Sequence, residues 1–274
     1  MARFRHRSLP IPHEVLTDSM QILLVNDDGI HAPSLWALHE ELVKWGDVTV
    51  VAPSTEQSGV GHSITFLHPL LAHKEVRQGK FVGWKVDGRP ADCVKLGIQQ
   101  LCPTRPDVIV SGLNAGANVG LNVLYSGTVA AAMEGAFFGI PSFAMSQWMD
   151  GPPDFQATSR RAVSLCRQLL PRSQPGLVWN LNFPSIHAEW PRGVRFVGME
   201  ARRANEGIEE RVDPRGRTYY WSGLNPMKSH VLDDATDVKS LLDGYITVTP
   251  LQFDMTAQAA LNELRGETWE VPTP

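Results

Sequence analysis

Apolar residues in this chain come in short unbroken blocks that alternate with helical spacing. Ile22-Leu23-Leu24-Val25 is a continuous run, as expected of a strand covered on both faces. Beyond it Leu35, Leu38, Leu42 and Trp45 recur at helical intervals behind Pro33, a residue suited to a first helical turn. Gly46 is expected to stop that helix, and Val48-Thr49-Val50-Val51-Ala52 reads as a second strand. Residues 22–52 thus predict a βαβ unit with parallel strands. Weak alternation over 62–86 runs through Ile64, Phe66 and Leu70, then Phe81, Trp84 and Val86; it predicts strands around a turn near Gln78-Gly79. Helices are expected near 90–101, 128–138 and 157–169, with strands at 108–110, 140–145 and 177–182. That rhythm predicts an α/β fold with a doubly wound, mostly parallel, Rossmann-like sheet.

The texture changes in the last third. Residues 200–222 read as a polar hairpin with Asp213-Pro214-Arg215-Gly216 at the turn and Tyr219-Tyr220-Trp221 on the return strand. Three consecutive aromatics need cover, either from their own domain or from a partner subunit; the interface reading is favoured because aromatics dominate interface cores. A late strand over 244–249 and a final helix over 256–265 complete the pattern. The expected division is an N-terminal extension over 1–19 and an α/β core over 20–150. Residues 151–274 then complete the core and add the hairpin and a C-terminal tail.

At 274 residues and 43% hydrophobic composition there is ample material for a core. A net charge of -4 supplies no global field for nucleic acid or membrane, so an anionic substrate must be held locally. Cys93, Cys102 and Cys166 are scattered and form no CxxC pair, which points to reduced packing residues in a cytoplasmic protein. No apolar stretch is long enough to span a bilayer.

The candidate chemistry lies at predicted strand ends. Asn26-Asp27-Asp28-Gly29 follows the first strand directly. Neighbouring aspartates repel and resist desolvation, a penalty that a hard divalent cation removes; the same residues also make a good surface turn. A second loop carries Ser58 beside Gly59, and a third runs from Ser111 to Gly120 with Asn114 among glycines 112, 116 and 120. If the three strands are neighbours, the loops converge on one crevice, where Asp27, Asp28, Ser58 and Asn114 make an all-oxygen cation site. The third loop has neither GxGxxG spacing nor a GK[ST] sequel, which opposes a dinucleotide-binding oxidoreductase and a P-loop; its amides can still approach a ligand closely. Tyr125-Ser126-Gly127-Thr128 precedes a helix, so Ser126 or Thr128 is either a plain N-cap or part of a phosphate site. The expected phosphate-binding set is Asn114, Gly116, Asn118, Ser126, Gly127 and Thr128. His62 is the candidate general acid or base, or an ordinary loop histidine. Glu134 reads as a solvated helix residue or as an acceptor behind the site. No HxxxH or HExxH pattern points to zinc.

Assembled, these stretches resemble the SurE family of metal-dependent nucleotidases. The residues that carry the likeness are Ile22 to Ile30, Ala52 to Gly59, Val86 to Val94, Ser111 to Gly120, Tyr125 to Gly135, Trp179 to Pro184 and Thr247 to Leu251. The resemblance implies a SurE-like fold, a metal held by Asp27, Asp28, Ser58 and Asn114, and hydrolysis of nucleoside 5′- and 3′-monophosphates, with short polyphosphate as a further substrate. It implies one Mg2+ or Mn2+ per subunit, and a cytoplasmic homodimer or homotetramer built through the hairpin and C-terminal tail. Two departures stand out: residues 1–19 precede the usual family start, and Asn122 occupies a position that is often acidic. Asp27 and Asp28 are then the expected catalytic pair, with His62. The rival reading is a nucleotide or metal sensor that binds the same ligands without turnover.

Overall fold

The computed structural model describes residues 19–185, 190–202, 207–223 and 236–271. The expected extension over 1–19 therefore lies almost wholly outside the described residues, as do parts of the 200–222 segment.

The predicted βαβ unit is present as β1 (Met20–Val25), α1 (Pro33–Leu42) and β2 (Gly46–Pro53), with β1 and β2 parallel. Gly46 does not stop the helix; it opens β2. A side chain there would meet the Met20 carbonyl oxygen at 2.1 Å, so glycine is required by the close approach of the two strands. The alternation at 62–70 yields no strand. The strands of this region are β3 (Ala72–Arg77) and β4 (Lys80–Val86), turning at Gln78-Gly79 as expected. Next come α2 (Pro90–Leu96), which continues as a wider π turn to Leu101, then β5 (Val108–Ala115), α3 (Gly127–Phe137), β6 (Ser142–Gln147), α4 (Phe155–Leu169) and β7 (Leu177–Phe183).

Two short elements have no clear signal in the pattern: β8 (Val194–Phe196) and α5 (Asp237–Leu242). Between them β9 (Gly207–Val212) and β10 (Thr218–Gly223) form an antiparallel ribbon that makes its own two-stranded sheet. Tyr220 and Trp221 are 62% and 58% exposed, so the described residues of this subunit do not cover them. The chain ends with β11 (Ile246–Gln252) and α6 (Gln258–Leu264).

Among the described residues the main sheet has nine strands in the order β3-β4-β2-β1-β5-β6-β7-β11-β8. β4, β2, β1, β5, β6 and β7 are mutually parallel; β3 runs antiparallel to β4, and β11, with β8 parallel beside it, runs antiparallel to β7. One face packs Ile22, Leu24, Val110 and Met145 with α1 and α4; the other packs Leu23, Val25 and Ile109 with α2 and α3. Covering both faces is what makes β1 a continuous apolar run. The order matters for chemistry. From β1 the chain moves outward to β2 and β4, then crosses to the other side of β1 as β5. The crevice between β1 and β5 is therefore the switch point at which open α/β sheets take ligands.

Candidate functional site

Asn26 and Asp27 continue β1 into the switch-point crevice, and both are buried. Asn26 Nδ2 donates to the Gly29 carbonyl at 3.0 Å and closes the turn. Gly29 has φ +92°, and a Cβ there would come within 3.2 Å of the Thr55 carbonyl carbon. The β1 and β2 loops thus lie against each other. Gln57 N donates to Asp27 O at 2.8 Å, and Ile30 N donates to Pro53 O at 2.9 Å.

The start of α3 closes the site from the next layer. Ser126 is its N-cap: Oγ accepts from Val129 N at 3.1 Å. That leaves Thr128 free for another role, and its Oγ1 donates to Asp27 Oδ1 at 2.5 Å. Gly127 makes this approach possible, because a Cβ would stand 2.8 Å from Asp27 Cβ and 3.1 Å from Pro90 Cγ. Asp28, half-buried, accepts from Ala115 N at 3.2 Å, which ties the first loop to the end of β5.

Burial pushes the Asp27 carboxyl up to about 6; the Asp28 charge adds to the rise, and the Thr128 hydroxyl works against it. Burial also raises Asp28, against the Ala115 N–H. Neither carboxylate owes any part of its shift to a lysine or arginine. A carboxyl whose folded pKa exceeds its unfolded value binds its proton more tightly in the fold. The associated stability is present below about pH 4 and is lost as pH rises through 6, to an extent of up to about 3 kcal/mol for Asp27. In chelator, the melting temperature should fall from pH 4.5 to 7.5, with a shallower fall in Asp27→Asn. Parallel profiles for the two proteins would contradict this assignment.

The β5 loop is held by buried amides. β5 bulges between Ser111 and Asn114. Asn114 Nδ2 donates to Gly116 O at 2.7 Å, which leaves its amide oxygen as the group available to a cation, and Gly116 N donates to Gln147 O at 2.9 Å. Asn118, expected among the phosphate ligands, faces inward instead: its Nδ2 donates to Ser146 Oγ at 2.8 Å, and its backbone N–H donates to Asn182 Oδ1 at 2.8 Å. Its carbonyl accepts from Asn180 Nδ2 and Asn182 Nδ2 at 2.8 and 3.1 Å. Asn118 therefore positions the loop. The two buried asparagines of β7, conspicuous in an apolar strand, are explained by these bonds. Asp237 at the start of α5 adds a further lock, accepting from Gly120 N and Glu200 N at 2.9 Å each. It was illegible in the sequence because α5 itself was.

Ser58 lies on the exposed β2 loop, one residue past the Gln57–Asp27 bond, with its Oγ donating to Glu56 at 2.7 Å. His62, the expected acid or base, follows Gly61, whose N–H donates to Tyr125 O at 2.8 Å just before the start of α3. Its Nε2 lies 2.9 Å from Glu134 Oε2, and its ring stacks on Phe137 with centroids 5.1 Å apart. Glu134 is six residues beyond Thr128 on α3, roughly 9 Å along the helix at ~1.5 Å per residue. His62 thus anchors the 58–65 loop. Glu134 is likewise not on a solvated face: it is buried, with Lys95 Nζ at 3.6 Å as a second partner. Glu134→Gln removes the charge that Lys95 faces and leaves an amide opposite His62. It should cost about 1–2 kcal/mol, read as a melting temperature a few degrees lower. An unchanged melting temperature would remove the anchoring role.

The donor set fits a hard divalent cation. Among the described residues no three His, Cys, Asp or Glu side chains cluster as a metal site, so the candidate set consists of two carboxylates, one hydroxyl and one amide oxygen. That composition suits Mg2+ or Mn2+ with water in the remaining positions. Asp27 has a hydroxyl partner but no cationic one, and burial holds its carboxyl up at about 6, so a cation could offset its charge there.

Comparison with known proteins decides the family. The model of survival protein SurE matches residues 22–206. The 5′-nucleotidase SurE of Rhodopirellula baltica is 45% identical over 249 residues, which cover 90% of this chain and 98% of that protein. The chain belongs to the SurE family. The 5′-nucleotidase SurE 1 of Thermus thermophilus is 43% identical over 251 residues, covering 90% of this chain and 97% of that protein. The crystal structure of the SurE protein from Aquifex aeolicus superposes with a TM-score of 0.78 at 36% identity, over 90% of this chain and 98% of the other. The Aquifex protein therefore shares this fold over most of the chain. Asn122 lies in the short turn Gly120–Leu124 that leads into α3, and its carbonyl accepts from Tyr125 N at 3.0 Å.

Proposed function

We propose that this SurE-family chain is a 5′-nucleotidase, a divalent-metal-dependent phosphatase that hydrolyses nucleoside 5′-monophosphates, and 3′-monophosphates as well, to nucleoside and phosphate. Short polyphosphate is a further substrate in this reading. The relatives' shared name supports the activity, at 45% and 43% identity over nearly their full lengths. The observation that carries the mechanism is the pair Asp27 and Asp28 at the switch point, in hydrogen-bond contact with Thr128 at the start of α3 and with the β5 loop.

In this reading Asp27, Asp28, Ser58 and Asn114 hold one Mg2+ or Mn2+, which when bound supplies positive charge for the phosphate and a polarised water. The chain's own groups do the rest. Thr128 orients the Asp27 carboxylate. The α3 start, with Gly127 and Thr128 on its first turn, presents backbone N–H groups and the helix dipole to the phosphate, while the Gly116 N–H is spent on Gln147 O and holds the β5 loop in place. One of Asp27 and Asp28 would take the proton of the attacking water.

The test is phosphate release from AMP with Mg2+ or Mn2+, then with a chelator. Turnover that stops on chelation and returns with the ion is expected. Turnover that persists in chelator contradicts metal dependence, and binding of AMP without turnover turns the reading into that of a sensor. The exposed aromatics of β10 support a homodimer or homotetramer formed through the ribbon and C-terminal tail. The expected behaviour in sedimentation is a species of at least two subunits. Three reduced cysteines favour a cytoplasmic setting; no helix among the described residues is long and apolar enough to cross a membrane.

A further inference from the structure

Beside the Asp27 site lies a second concavity of about 290 Å3, lined by Ser54, Thr55, Gln57, Thr65, Asp87 and Arg89. Its walls come from the β2 loop, the end of β4 and the segment that follows His62. They are fixed from behind by one buried carboxylate: Asp92 accepts from Thr65 N at 3.1 and 2.9 Å through its two oxygens, and from Arg89 N at 2.8 Å. Across the opening Ser54 Oγ donates to Asp87 Oδ1 at 2.6 Å, and the Arg89 guanidinium donates to Gln57 Oε1. The cavity is therefore preformed.

It is also one residue away from the proposed phosphate position. Gln57, on its wall, binds Asp27 O through its backbone N–H at 2.8 Å. Pro90, next to Arg89, and Asp27 flank Gly127 together: a Cβ there would stand 3.1 Å from Pro90 Cγ and 2.8 Å from Asp27 Cβ. A ligand whose phosphate lies at Asp27, Asp28 and Thr128 has this cavity within reach of the rest of the molecule. The lining offers hydroxyls, an amide, a carboxylate acceptor and a guanidinium donor, with no aromatic ring. That chemistry matches sugar hydroxyls and the polar edge of a base. It does not suit a second phosphate, which the Asp87 carboxylate would repel. Its volume is near the lower limit of roughly 300 Å3 for small-molecule sites, enough for one nucleoside and too small for an oligonucleotide.

We infer that this cavity is the nucleoside subsite, with Asp87 accepting hydrogen bonds from the sugar hydroxyls and Arg89 and Gln57 donating to sugar or base oxygens. The inference rests on the nucleotidase reading and extends it to the part of the substrate that is not phosphate. It makes selectivity for nucleotides over simple phosphate esters a property of residues outside the metal loop.

The experiment compares AMP with 4-nitrophenyl phosphate, which has the ester but no nucleoside, in the metal-loaded enzyme. In Asp87→Ala and in Arg89→Ala the ratio of kcat/KM for AMP to kcat/KM for 4-nitrophenyl phosphate should fall about tenfold, mostly through KM for AMP. Adenosine should inhibit wild-type AMP hydrolysis competitively and should do so less well in Asp87→Ala. An unchanged ratio in both variants overturns the subsite while the nucleotidase reading stands, as does adenosine that fails to inhibit the wild type at ten times KM for AMP. A wild-type enzyme inactive on both esters overturns the nucleotidase reading, and the subsite falls with it. Loss of folding in a variant lowers both activities together, so the adenosine measurement on the wild type decides in that case.

Discussion

Asp27→Asn is expected to lower phosphate release from AMP by about a thousandfold, equivalent to ~4 kcal/mol of transition-state stabilisation, without loss of fold. Asparagine has the same size, and its Oδ1 can still accept from Thr128 Oγ1. What disappears is the charge. In the absence of a cation that charge is a burden, because burial and the neighbouring Asp28 hold the Asp27 carboxyl up at about 6. The variant should therefore melt at or above the wild-type temperature in chelator at pH 7, while losing the rise in melting temperature that the divalent ion confers on the wild type. The combination of lost activity and retained or improved stability separates a ligand from a structural carboxylate. Full activity in the variant would contradict the site, and a large loss of stability in chelator would make Asp27 a structural residue.

The largest effect on stability is expected at Gly112→Ala. Gly112 has φ +141°, and a Cβ would stand 2.4 Å from the Met145 carbonyl oxygen and 3.1 Å from Met145 Cβ. The obstacle is backbone of the neighbouring strand β6, so nothing nearby can rotate away. Strain and overpacking together should cost at least ~3 kcal/mol, which in a chain of this size lowers the melting temperature by roughly 6–12 °C. Gly139→Ala is the internal comparison. It also has positive φ, +69°, but nothing lies within 4 Å of its Cβ position. Only the left-handed strain of about 1–2 kcal/mol applies there. Because Gly112 lies in the bulge that delivers Asn114, surviving Gly112→Ala protein should also require more divalent ion. Equal melting temperatures for the two variants would contradict the strand contact.

Much of this architecture was legible because the parallel strands are buried on both faces. Ile22 to Val25 and Val108 to Val110 announce themselves as unbroken apolar runs, and the turn at Gln78-Gly79 carries its own chemistry. The segment 62–70 misled because Ile64 and Phe66 alternate like a strand; yet its Thr65 N–H is consumed by Asp92, and Phe66 is exposed. α5 was invisible because a six-residue helix has hardly more than one turn of periodicity to display. At the site, Asp27, Asp28 and Asn114 could be proposed from loop chemistry once three strands were assumed adjacent, and the order β2-β1-β5 supplies that adjacency. What residue type could not reveal was direction. Asn118 and Asn114 look alike in a glycine-rich loop, and only the packing against Ser146 and Asn182 turns one of them inward. His62 and Glu134 are 72 positions apart, and their pairing depends on how the loop folds over α3.

The proposed site requires a divalent ion between the tips of β1, β2 and β5. The direct measurement is anomalous diffraction from crystals grown with Mn2+. It should give one strong peak within bonding distance of the Asp27 and Asp28 carboxylates, with Asn114 facing it. A map in which both carboxylates contact only water or protein, with the manganese bound elsewhere or absent, would contradict it.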